Sequence, residues 1–237
     1  MSSLLRDLLT ETWRGKSLAR TMFNRQVKHS VKMDTTGIVL DLGGGQSPSY
    51  YRFWGYSSPP ENVIRVDIVS TNRPTLFASL EHPLPVNDNV SNQVFLFNVL
   101  EHIFHHKQLL DEIHRILKPG GEFFLYVPFL INIHADPHDY FRYSASALER
   151  LLESVGFKEY EIIAHASLWY VITQFSLRLV PTRFLKTIYV LIAFCLDRLL
   201  RRLAPNLNDK FVLGYFVAAK KTASSTTTRL RSEKPGF

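Results

Sequence analysis

The 237-residue sequence contains a single cysteine, Cys195, and it lies in an apolar stretch. One thiol can build neither a disulfide framework nor a thiolate zinc site, so the expected setting is the reducing, cytoplasmic side of the cell. Long apolar runs are missing as well. In the most apolar region, the longest stretches free of Asp, Glu, Lys and Arg cover 162–177 and 187–196, which is 16 and 10 residues. A helix that crosses a bilayer needs roughly 20. No secretory signal is expected either, because Asp7 and Glu11 interrupt the N-terminal leucines where such a signal keeps an unbroken apolar core.

Acidic residues are outnumbered 21 to 28 by Lys and Arg, giving a net charge of +7. The imbalance is not where a nucleic-acid-binding face would need it: residues 1–32 carry +5 and 158–237 carry +8, whereas 33–157 carry −6. An acidic middle disfavours a surface that tracks phosphates. The basic ends read as appendages that meet a membrane surface or stay solvated.

What is present is a rhythm. From 37 to 163 short apolar runs alternate with helical patterns: GIVLDL, NVIRVD, TLFAS, QVFLFN, a helix over 101–117, GEFFLYVP, a helix over 145–155, and FKEYEII. Continuous apolar strands of this kind predict a parallel sheet covered by helices on both faces, an α/β fold. Lys118-Pro119-Gly120-Gly121 reads as a helix stop, and Ser146 with Glu149 as a capping box. Ahead of the sheet, Leu4, Leu5, Leu8 and Leu9 at helical spacing, with Gly15 as a break, predict a helical cap over 2–29. Beyond it, 166–205 reads as two helices hinged at Pro181, and FVLGYFVAA (211–219) returns as a strand. The resulting plan is an N-terminal helical extension (1–36), a main domain (37–165 with 209–220), an apolar helical insertion (166–208) and a tail (221–237) too polar to order.

The first strand runs into Asp41-Leu42-Gly43-Gly44-Gly45-Gln46-Ser47-Pro48. Glycines at the carboxyl end of a first parallel strand let the backbone take positive φ and let a ligand approach the main chain. The dinucleotide fingerprint would need a further glycine and a phosphate P-loop a Gly-Lys-Ser/Thr; neither follows Gly45. An acidic residue two positions before the first glycine suits a ligand with an ammonium and no pyrophosphate. Asp67 closes the second strand, where an acid accepts hydrogen bonds from ribose hydroxyls.

With these motifs the sequence resembles the class I S-adenosylmethionine-dependent methyltransferases, the type 11 branch in particular. VLDLGGG, VIRVD, SLEHPLPVNDNVSNQVFLFNVLEHI and LKPGGEFFLYVP occur in the family's order over about 37–163, with the strand at 211–219. The resemblance implies a Rossmann-like sheet of seven strands, mostly parallel with the last antiparallel. It implies that Asp41, Gly43 and Gly45 hold the methionine end of S-adenosyl-L-methionine, Asp67 the ribose, residues around Leu80 the adenine, and Asn98 the amino-acid moiety. Ser79 and Ser47 depart from it, standing where many relatives have an Asp and a third glycine.

Two further segments carry candidate chemistry. His102, after Glu101, reads as a general base, its ordinary pKa near 6.5 suiting it to accept a substrate proton. Quinone-biosynthesis O-methyltransferases resemble this stretch but have an acid at the position of Asn98 as part of a proposed metal site. Without that acid no metal is expected, and His105 and His106 read as a solvated cluster with His102. The segment His134-Ala135-Asp136-Pro137-His138-Asp139-Tyr140-Phe141-Arg142-Tyr143-Ser144 follows the fifth strand, at the edge where such sheets meet substrates. It resembles a PHDYFRY signature found in type 11 enzymes of glycan and lipid-linked pathways. His138 is expected to act in catalysis, and His134, Asp139, Tyr140, Arg142 and Tyr143 to meet the acceptor.

The function expected is methyl transfer to an oxygen or nitrogen of a small-molecule, glycan or lipid-linked acceptor, by a cytoplasmic protein touching a membrane peripherally through 166–205. The alternative is a non-catalytic protein that keeps the fold and docks on a membrane or partner through the same insertion. Nucleic-acid methylation ranks third, since no Asn/Asp-Pro-Pro-Tyr/Phe tetrad follows the fourth strand.

Overall fold

The computed structural model describes residues 2–45 and 49–222. Seven strands, β1 (Ile38–Leu42), β2 (Val63–Asp67), β3 (Leu76–Phe77), β4 (Ser91–Phe97), β5 (Leu117–Pro128), β6 (Glu159–Ala166) and β7 (Val212–Lys220), form one sheet in the order β3-β2-β1-β4-β5-β7-β6. Strands β1 to β5 pair in parallel, and β7 runs antiparallel to both β5 and β6.

Successive side chains of a strand point to opposite faces, and here the two faces differ in chemistry. Leu40, Leu42, Val94, Leu96, Phe123 and Leu125 build a mostly aliphatic face. It is covered by the buried sides of α4 (His106–Ile116) and α5 (Ala145–Ser154). Val39, Phe95, Phe97, Phe124, Tyr126 and Phe216 build an aromatic face against Phe23 and Val27 of α2 (Leu18–Ser30) and Tyr50 and Tyr51 of α3 (Ser49–Phe53). The N-terminal helix α1 (Ser3–Trp13) and the insertion helices α6 (Leu168–Ser176) and α7 (Arg183–Leu203) share a third core of Leu8, Leu18, Tyr170, Val190, Ala193 and Phe194. The extension and the insertion are therefore one layer. Ser2 and Ser17 cap α1 and α2, Gly15 between them has φ +80°, and Pro181 lies between α6 and α7. A short helix, α8 (Pro205–Asn208), leads to β7.

Three local expectations are corrected. The helix expected from 101 starts at His106, and Leu100–His102 form a separate 3-10 turn. Glu81 lies against this break: its carboxylate accepts from the main-chain N–H groups of Phe104 and His105 at 2.7 and 3.1 Å and so ties down the turn that precedes α4. The cap of α5 is Ser144, which accepts from Ala147 N, so no Ser146–Glu149 capping box forms. The tail expected from 221 begins later: Lys221 Nζ donates to Asn89 Oδ1, His114 O and Leu117 O at 2.7–2.9 Å. Residues 223–237, the bulk of the expected tail, and Ser47 lie outside the described residues.

Candidate active site

The parallel strands end together, so the segments following β1, β2, β4 and β5 share one edge of the sheet. After β1, Gly43 and Gly45 have φ +69° and +65°, a backbone that favours glycine. A Cβ on Gly43 would come within 2.6 Å of Val99, and one on Gly44 within 2.3 Å of the Asp41 carboxylate. These two positions are closed from within. Among the described residues, a Cβ on Gly45 would approach only Asn72 Nδ2, at 3.9 Å.

Asp41 does not meet the expectation of a direct ammonium contact. It is 0% exposed, and its oxygens accept from the Tyr50 and Tyr51 hydroxyls at 2.7–2.8 Å. Burial pushes its carboxyl up to about 6 against the opposing effect of those hydroxyls. With no exposed atom, it acts by shaping the glycine turn. Asp67, at the tip of β2, accepts from Val69 N at 2.8 Å and Asn72 Nδ2 at 2.9 Å, leaving acceptor capacity on each oxygen. Arg65 braces this corner by donating to the carbonyls of Gly45, Asn72 and Arg73. Leu80 is buried in the aliphatic core, beside Ser79, whose Oγ accepts from Glu81 N. Asn98, at the tip of β4, takes φ +55°, a left-handed conformation that asparagine tolerates and that clusters at functional sites.

The turn after Asn98 meets the segment after β5. Glu101 is 0% exposed, and neither carboxylate oxygen has a hydrogen-bond partner. His134 Nε2 lies 3.4 Å from Glu101 Oε1 and His102 Nε2 lies 3.7 Å from it; Glu101 raises the His134 pKa. His102 Nδ1 is 2.5 Å from the His138 carbonyl. A carbonyl only accepts, so Nδ1 carries the proton and Nε2 faces the cluster. The main-chain N–H groups of Tyr140 and Phe141 donate to the Glu101 carbonyl, which hangs the β5 segment on this turn.

That segment divides into parts that hold it and parts that face outward. Asp139 is forked by the Arg142 guanidinium and accepts from His134 N at 2.9 Å; the fork holds its carboxyl down at about 2. Tyr143 is buried and donates to Leu100 O at 3.2 Å. Asp139, Arg142 and Tyr143, expected to meet the acceptor, therefore brace the loop. Tyr140 and the ring of His138 are exposed and lie against each other, 5.3 Å between centroids. The histidine cluster expected on one helix is dispersed: His105 pairs with Glu81 at 2.9 Å and His106 packs edge-on against Phe141 and Tyr143.

Residues 40–125 match a family described as a methyltransferase domain, type 11. The chain is similar to an S-adenosylmethionine-dependent methyltransferase from Archaeoglobus fulgidus, with 18% identity, a TM-score of 0.58, and 89% of this chain and 97% of that one covered. It is similar to Haemonchus contortus phosphoethanolamine N-methyltransferase 2 in complex with S-adenosyl-L-methionine, at 16% identity and TM-score 0.55, with 85% of this chain and 53% of that one covered. It thus spans about half the length of that protein. A Haloferax volcanii complex of a methyltransferase with the Trm112 methyltransferase activator matches at 16% identity and TM-score 0.55, covering 94% and 99%. At these identities the likeness is one of fold. No curated protein matches the sequence.

The first two strand tips leave room for a ligand among the described residues. Gly45 adjoins Asn72, whose amide also contacts Asp67, which leaves a cradle between the first two strand tips. Sequence reasoning missed Glu81, Arg65, Tyr50 and Tyr51. The only signal for the tyrosines was a pair of aromatic residues just after the glycine loop; Glu81 and Arg65 act across distances that no local pattern encodes.

Proposed function

We propose that the enzyme methylates an oxygen or nitrogen of a small-molecule, glycan or lipid-linked acceptor, at a membrane surface. The cofactor supplies the electrophilic methyl group. Asp67 holds the ribose and the loop 43–45 the methionine end, with Leu80 beside the adenine and Asn98 at the amino-acid moiety. The observation that carries the acceptor assignment is the cluster of Glu101, His102 and His134, where two strand ends bring imidazole nitrogens to a buried carboxylate. Such groups serve to take the acceptor's proton. His138 and Tyr140 form the outer wall. Calorimetry with S-adenosylmethionine, followed by a search for a methylated product in lipid and polar extracts of expressing cells, tests the reading. Binding without any product in either extract would remove the acceptor assignment.

The membrane assignment rests on the two-sidedness of α7. Val190, Ala193, Phe194 and Asp197 face inward, while Phe184, Leu185, Ile188, Leu191, Ile192, Leu199 and Leu203 are exposed. The exposed stripe is continued by Ile172, Phe175 and Leu179 of α6 and the turn after it. Among the described residues no helix is long and apolar enough to cross a membrane, and a stripe of this kind lies in an interface. Arg178, Arg183, Arg198 and Arg202 are exposed beside it. Arg201 is engaged with Asp197 and the Ala166 carbonyl. Flotation with anionic and neutral liposomes is the test: retention at the bottom with both, or a dimer that hides the stripe, contradicts the assignment.

A further inference from the structure

We infer that Glu101, His102 and His134 bind a divalent transition-metal ion, with zinc as the reference case, whose remaining coordination positions take the acceptor. The inference deepens the acceptor-site reading and rests on it. Three observations carry it.

The first is a buried carboxylate that, among the described residues, makes no hydrogen bond. Glu101 is fully buried and both its oxygens lack a hydrogen bond. A buried carboxylate in that condition is costly unless a cation or donor completes it. The second is spacing. Two ligands bound to zinc at about 2.0–2.1 Å in a tetrahedron lie about 3.3–3.4 Å apart. The Glu101 Oε1 to His134 Nε2 separation is 3.4 Å and the Glu101 Oε1 to His102 Nε2 separation is 3.7 Å. One ligand atom from each of the three residues lies within 4.8 Å of the others.

The third is the far side of each imidazole. A metal-binding histidine usually offers its other ring N–H to a carbonyl or carboxylate, which fixes the tautomer and the ring. His102 Nδ1 meets the His138 carbonyl at 2.5 Å. His134 Nδ1 makes no hydrogen bond among the described residues but faces Asp139 Oδ2 at 3.5 Å, a carboxylate that is fixed by the Arg142 fork and also accepts from the His134 main-chain N–H. Both rings thus present Nε2 to Glu101. Two imidazoles and one carboxylate are the donor set of open zinc, iron and manganese sites.

The ion assigns a purpose to the bracing of the loop: Asp139 and Arg142 hold His134 in place. With Glu101, His102 and His134 as its ligands, the cluster handles the acceptor's proton through the ion: an acceptor hydroxyl bound to it loses its proton to solvent at lower pH than it does free.

The test is titration of the chelator-treated full chain with zinc against a chromophoric chelator, with S-adenosylmethionine affinity measured in parallel by calorimetry. One equivalent of zinc is expected in the wild type. Glu101→Gln, His102→Gln and His134→Gln should each weaken it roughly 100-fold or more, and Asp139→Asn about 10–100-fold through the ring it orients. Cobalt in place of zinc should give a visible absorption band that is lost in His134→Gln. Unchanged cofactor affinity in the variants certifies their fold. Zinc bound equally by the three ligand variants, or not bound by wild-type protein that binds S-adenosylmethionine, overturns the metal site and leaves the methyltransferase reading intact. Loss of cofactor binding in the wild type would instead strike that reading.

Discussion

The ends of β1 and β2 and the ends of β4 and β5, two halves of the same sheet edge, are finished to different degrees. At the ends of β1 and β2 every carboxylate is engaged: Asp41 with two tyrosine hydroxyls, Asp67 with Val69 and Asn72. At the ends of β4 and β5 a fully buried carboxylate, Glu101, has no hydrogen-bond partner. The first half is a preorganised cradle, in which the protein's own dipoles hold the loop before a ligand arrives. In the second half the electrostatics are left unbalanced, which is the usual mark of a place where chemistry is done. On the function proposed above, one fold separates holding a cofactor from handling an acceptor.

The sharpest way to break this contrast is Glu101→Gln. It should lower turnover by about 10²–10⁴-fold, the range of a positioned proton-handling group, while cofactor affinity stays within experimental error. Parallel losses in both would show that the halves are not separate. Next in size, the comparison predicts that Asp67→Ala costs about 1.5–3 kcal/mol of S-adenosylmethionine affinity, with the fold unchanged by circular dichroism. Unchanged affinity would remove the ribose assignment.

The pH dependence of stability separates buried groups by sign. The folded carboxyl of Asp41 lies near 6, above its ordinary 3.8, so between these values the native state binds the extra proton. Stability should therefore fall as pH rises from about 4 to about 6, by about 3 kcal/mol, relative to Asp41→Asn. His165, buried between the sheet and α2 and held down near 4 by burial, acts oppositely: the unfolded chain takes the proton first, so stability falls as pH drops from about 6.5 to 4. Denaturant unfolding across this range with Asp41→Asn and His165→Gln resolves the two slopes; a flat difference for either variant contradicts its assignment. The smallest effect is expected at Glu81, where Glu81→Ala removes its hydrogen bonds to the turn ahead of α4 and should cost about 1 kcal/mol, read as a lower denaturant midpoint with turnover little changed.

Much of this was legible in the chain. The parallel sheet follows from βαβ rhythm because a parallel strand covered on both faces must be apolar throughout, and the glycine loop announces itself because only glycine adopts its φ without strain. The two-faced α7 was also visible as a stripe with too few apolar residues to span. Periodicity did not reveal that α1 packs against α7, since a helix's apolar side does not name its partner.

The strands as apolar segments, the glycine turn and the acid at the tip of β2 were determined by the sequence itself, because each depends on residues that are neighbours in the chain or recur with a fixed period. The tertiary structure alone decided the order of the strands in the sheet, that α4 starts at His106 behind a turn held by a carboxylate from the segment after β3, and that Asp41 turns inward to two tyrosines. It alone brought His134 to Glu101, 33 positions away in sequence and 3.4 Å away in space. The physical reason is the same in each case: hydrogen bonds and charge pairs act over a few ångströms, and only the folded sheet determines which distant residues come that close.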